Sequence, residues 1–137
     1  MLDVVQSALI GLPVYAAHVL LTLLVWLCGV GIHVLVTPYR EVALARHGNV
    51  AAGITLSGAF LAMALPLAAS LARSVTAREI VVWGVIVVAA QIFAFLLVSK
   101  LVLRDFKAAI ERGDVAAALV LASVQLSISL FLAGAVG

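Results

Sequence analysis

Charge, cysteine and aromatic residues are all scarce in this chain, and each scarcity removes a class of protein. Charged residues fill 10% of the 137 positions, against about 25% in soluble domains. A water-soluble fold of this length leaves much of its surface exposed, and these few polar side chains would not cover it. The formal net charge of +2 is small and dispersed among short connections, which argues against a nucleic-acid surface. One cysteine, Cys28, excludes an intramolecular disulfide; inside an apolar run it reads as a small buried packing residue. Met1 to Gln6 contain no Lys or Arg, so the positive start of a secretory signal peptide is missing. There is no pair of acids in mid-membrane, no His/Asp cluster and no serine with a base. A non-enzyme with no cofactor and no metal is therefore expected.

What the chain does have is apolar length. Hydrophobic residues make up 66%. Four stretches, near Pro13–Val36, Val50–Ala72, Ile80–Leu103 and Val115–Val136, are each long enough to cross about 30 Å of hydrocarbon as a helix. Each is too long for a spanning strand, and its backbone groups must be satisfied within the segment. The expected fold is all-α: one transmembrane domain of four helices, with the lipid bilayer as its first partner.

Basic residues set the expected orientation. The first and third connections carry Arg40, Arg46, Lys100, Arg104, Lys107 and Arg112, against only Arg73 and Arg78 on the opposite side. This asymmetry places the first and third connections in the cytoplasm and both termini outside, in the periplasm if the cell has one.

The chain also reads against itself. Gly48-Asn49-Val50-Ala51-Ala52 matches Gly113-Asp114-Val115-Ala116-Ala117 at a shift of 65 residues, which also pairs Leu56 with Leu121 and Leu61 with Leu126. The polar step at matching points predicts a tandem duplicated two-helix hairpin, repeat 1 about 1–72 and repeat 2 about 73–137. Both units then insert the same way round, with the repeat axis along the membrane normal. Gly48 and Gly113 suit a left-handed helix end, and Asn49 and Asp114 suit the N-caps of the next spans. The mildly amphipathic segments before each step, Tyr39–His47 and Arg104–Arg112, either lie along the headgroups or extend the preceding helix.

Thr37-Pro38-Tyr39-Arg40-Glu41, Gly48-Asn49-Val50-Ala51-Ala52, Leu56-Ser57-Gly58 and Leu65-Pro66-Leu67-Ala68-Ala69-Ser70 follow in order, with Trp83-Gly84 and Gln91 in the third span. Across essentially the whole chain this resembles the YjfL-type inner-membrane proteins, domain-of-unknown-function family 350. The resemblance implies duplicated two-span units in a bacterial inner membrane, with no established activity. Gene neighbourhoods of some members hint at membrane stress. Ala62 stands where the family often keeps a glycine, and the fourth span is richer in serine than the family leads one to expect.

Polar groups in hydrocarbon are costly and face other helices or water. His18, Thr22, Trp26, Gly29 and His33 share one face of the first span. That face is either a packing stripe or a proton or ion path. At ~22 Å apart along the helix, the two histidines cannot share a metal. Gly53/Ser57 and Gly58/Ala62 are small-xxx-small pairs suited to close helix packing. Pro66 frees the carbonyl of Ala62 and kinks or hinges the second span. Gln91 lies mid-span, and Gln125 and Ser129 belong to a small, polar face of the fourth span. These are candidates for an interhelical hydrogen bond, a wet lining or a subunit seam. The charged connection residues are expected at the solvated surface, where ion pairing contributes little; Glu41, in the Thr-Pro segment, either pairs there with Arg40 or Arg46 or gates an inside opening.

Two functions fit. One is a homo-oligomeric small channel or permease, its path lined by His18, His33, Gln91, Gln125 and Ser129. The other is a non-transporting stress or scaffold component whose basic cytoplasmic connections bind anionic lipid or a peripheral protein.

Overall fold

A computed structural model describes residues 1–101 and 105–136, and every regular element among them is a helix. The order is α1 (Leu2–Val36), α2 (Glu41–Arg46), α3 (Val50–Arg73), α4 (Ala77–Leu101), α5 (Phe106–Glu111) and α6 (Val115–Val136). α1, α3, α4 and α6 are each long and apolar enough to span a bilayer, so the chain is a multi-pass membrane protein. α2 and α5 sit in the first and third connections, at what is called here the loop end of the bundle.

Two boundaries differ from expectation. α1 begins at Leu2, not Pro13, and runs for 35 residues. Pro13 removes one backbone hydrogen bond, and the surrounding Ala- and Leu-rich sequence carries the helix through it. At 1.5 Å per residue α1 reaches ~52 Å, well beyond the hydrocarbon thickness. α4 begins at Ala77, three residues before the expected Ile80. The cause is a reciprocal cap: Thr76 Oγ1 accepts from Glu79 N, while Glu79 Oε2 accepts from the backbone N of Val75 and Thr76. At its other end α4 is described to Leu101, and Leu103 and Arg104 lie outside the described residues.

The spans pack as two parallel pairs. α3 lies against α6 with Gly58 on Ala122, so close that a Cβ at 58 would fall 2.7 Å from the Ala122 Cβ. α1 lies against α4 with Gly29 on Val88 and Gly84 on Val25, each leaving 2.8 Å for a would-be Cβ. Backbones approach this closely only where side chains are absent. α3 and α4 each touch all three other spans.

Cys28 is exposed rather than packed. It faces an apolar groove of about 550 Å³ between α1 and α4; in lipid, a small apolar side chain there carries no penalty.

The connections repeat their geometry at the 65-residue offset. Gly48 and Gly113 adopt φ of +87° and +82°, the left-handed conformation that closes α2 and α5. Asn49 Oδ1 accepts from Ala52 N at 2.9 Å, and Asp114 Oδ1 from Ala117 N at 3.1 Å. Asn49 does more: its Nδ2 donates to the carbonyl of Ile110 at 2.8 Å, tying the start of α3 to the end of α5.

Candidate functional site

Buried polar groups gather at two levels of the bundle. The first is the loop end, where α1 stops. Thr37 Oγ1 donates to the carbonyl of His33, and the chain turns through Pro38 before α2 starts at Glu41. This turn folds Glu41 inward. Its carboxylate, expected at the surface, is 1% exposed, and among the described residues it pairs with neither Arg40 nor Arg46. The Tyr39 hydroxyl donates to Glu41 Oε1 and lies 3.1 Å from Thr55 Oγ1 on α3. His33 Nε2 lies 3.8 Å from Glu41 Oε2, too far for a direct hydrogen bond. Among the described residues neither atom has another hydrogen-bond partner.

Aromatic rings pack against this cluster. Phe95 of α4 lies against the His33 imidazole at 4.4 Å between centroids, and Phe106 of α5 meets Tyr39 edge-on at 5.7 Å. On the other side, Tyr39 and Glu41 stand in the wall of a loop-end pocket of about 540 Å³, together with Arg40 and Arg46. Burial holds the Glu41 carboxyl above its ordinary value of 4.5, opposed by the hydrogen bond from Tyr39. Burial, and then the neighbouring Glu41 charge, likewise push the Tyr39 hydroxyl above the usual range.

The second level is mid-span. Gln91 Nε2 of α4 donates to the backbone carbonyl of Gln125 on α6 at 3.2 Å, while Gln91 Oε1 and both Gln125 amide atoms are buried without partners among the described residues. One turn along α6, Ser129 Oγ donates to the carbonyl of Ala62 at 2.7 Å. That is the carbonyl Pro66 deprives of its helical donor. The polar face of α6 is therefore turned toward α3 and α4 of the same chain, not outward to a seam between subunits. On α1, Trp26 Nε1 donates to the carbonyl of Phe60.

The remaining sequence candidates separate. His18 is half-buried at the middle of α1, remote from His33. Of the two small-residue pairs, Gly58/Ala62 is buried against α6, whereas Gly53 has open space at its would-be Cβ and Ser57 is exposed. Arg40, Arg46, Lys100, Lys107 and Arg112 are exposed around the loop end, and Arg104 lies outside the described residues. Among the described residues no group of three or more His, Cys, Asp or Glu side chains is placed to hold a metal.

Sequence reasoning missed Tyr39, Thr55 and the inward turn of Glu41. The available signal was the Thr37-Pro38 break, which ends one helix and redirects the next few side chains.

No curated protein and no solved structure matches the chain. The family model described as Domain of Unknown Function (DUF350) matches residues 7–136. With four apolar spans, two caps at corresponding steps and a match over nearly its full length, the chain belongs to the DUF350 family.

Proposed function

We propose that the chain is a subunit of a small permease-like assembly in a bacterial inner membrane, with its basic loop end toward the cytoplasm and both termini outside. On this reading it is a tandem duplication, it is not an enzyme, and it works as a homo-oligomer. The observation that carries the transport reading is the mid-span amide pair. Gln91 Oε1 and the whole Gln125 amide are buried without partners. In a dry bundle each such group costs several kcal/mol, so water or a permeating species that binds there offsets a real penalty.

Assembly is supported by the unused small-residue pair. Gly53 and Ser57 line an open groove of about 550 Å³ with Leu61 and Leu126, a shape that admits a helix of a second copy at close range. The test is flux in reconstituted liposomes. Gln91→Leu and Gln125→Leu should each change ion or solute flux, and absence of flux in the unaltered protein would remove the permease reading.

A second reading rests on the exposed basic rim. Arg40, Arg46, Lys107 and Arg112 present positive charge at one end of the bundle, which suits anionic headgroups or a peripheral acidic partner. Loss of vesicle or partner binding on neutralising Lys107 and Arg112, with no flux in liposomes, would favour this scaffold role.

A further inference from the structure

We propose that His33 and Glu41 form a proton-binding site inside a single chain, loaded through the loop-end pocket. The geometry carries it. Two titratable side chains from different elements, 3% and 1% exposed, face each other with N and O 3.8 Å apart and, among the described residues, no other partner for either atom. The gap is too long for a direct bond and too short to separate the groups, so one proton serves both, directly after a small rotation or through one water. With that proton the pair is neutral overall, whichever atom carries it. Without it a single negative charge remains in a site walled by Phe95 and Phe106, which is costly in low dielectric.

The surroundings fit a proton better than a metal. Among the described residues the fully buried atoms without a partner here are one nitrogen, His33 Nε2, and one carboxylate oxygen, Glu41 Oε2, and Tyr39 OH is already committed to Glu41 Oε1 and Thr55. α3 contributes Thr55, and α4 and α5 contribute the Phe95 and Phe106 rings. Arg40 and Arg46 line the pocket outside the pair, and Lys100 and Lys107 line a separate pocket behind Phe106. Tyr39 and Glu41 stand in the pocket wall, and the Phe95 and Phe106 rings pack against His33 and Tyr39. Burial of the Glu41 carboxyl adds support, since it favours the protonated form. The site lies within one chain, so it does not depend on the permease or assembly readings.

The experiment is a pH titration of the full chain in lipid vesicles. Infrared difference spectra follow the protonated-carboxyl band, and isotope-labelled histidine follows the imidazole. The expected result is a carboxyl band that persists above the ordinary carboxylate range and vanishes in Glu41→Gln. In His33→Gln its midpoint moves. In Tyr39→Phe, which keeps both titrating groups, its midpoint rises because a donor to the carboxylate is lost. A band that titrates as an exposed glutamate, or a midpoint indifferent to both His33→Gln and Tyr39→Phe, overturns the site. Stoichiometric zinc binding abolished by His33→Gln would also overturn it, in favour of a metal site.

Discussion

Trp26 and Gln91 stand 65 positions apart and make the same bond. Each donates a side-chain N–H to a backbone carbonyl 34 residues further along, Phe60 at 3.1 Å and Gln125 at 3.2 Å. An indole and an amide share no chemistry beyond the donor. What they share is the backbone frame, in which the first helix of each half presents a donor to the second. The offset is the same 65 residues that separate the two glycine-and-cap steps.

Trp26→Phe keeps the ring and its edge contact with Phe60 but deletes the N–H. Unfolding in mild detergent should show a loss of about 0.6–1.7 kcal/mol, the range for hydrogen bonds between spans. Gln91→Leu should cost less, because it also removes the partnerless Oε1.

Ser129 and Pro66 are coupled through a carbonyl that neither owns. Ser129→Ala strands the Ala62 oxygen and should destabilise by about 1 kcal/mol. In a Pro66→Ala background residue 66 regains its N–H and Ala62 regains a helical donor. A double-mutant cycle should then show the serine deletion costing measurably less. Equal costs in both backgrounds would mean that proline and serine act independently.

Gly58→Ala and Gly53→Ala should behave oppositely. The first drives a methyl to 2.7 Å from Ala122 Cβ and 3.1 Å from its Cα, and overpacking of this kind costs about 1–3 kcal/mol. The second meets nothing within 4 Å and should leave the stability of one chain unchanged. Gly53→Leu is the assembly probe: if copies meet at that groove, the oligomer in native mass spectra should dissociate.

Asn49 has two jobs and Asp114 one. Asn49→Asp keeps the cap on Ala52 but removes the Nδ2 bond to Ile110. It should lose about 1 kcal/mol through the cross-tie alone. Asp114→Asn keeps an acceptor oxygen for Ala117 and should be close to neutral. Thermal unfolding of the two variants side by side checks the difference.

Glu41 makes stability fall as pH rises through its folded value. Its carboxyl is raised above 4.5 in the folded chain, so between the two values the native state binds more protons than the unfolded state. Its contribution is complete below 4.5 and is lost as pH rises through the folded value. Glu41→Gln should flatten that decline in an unfolding-versus-pH profile while other slopes persist.

The spans and the two helix-ending steps were legible because they follow from local rules. Apolar length forces helices, and Gly48-Asn49 and Gly113-Asp114 announce a left-handed stop and a cap. The start of α4 was equally local, written in Thr76 and Glu79, yet masked by the hydropathy threshold that placed it at Ile80. The polar sites were harder for a physical reason. Which face of α6 meets α3 depends on the approach of Gly58 to Ala122, a contact between residues distant in sequence. The burial of Glu41 depends on a turn that composition alone renders as a solvated connection.

The parallel seating of α3 on α6 has a consequence for biogenesis. The best-matched surface of the second span, its glycine notch and its bared carbonyl beside Pro66, finds its partner in the fourth span rather than in its own hairpin neighbour. Until α6 is inserted that surface stands unclasped, so the first hairpin enters the membrane before its packing is complete.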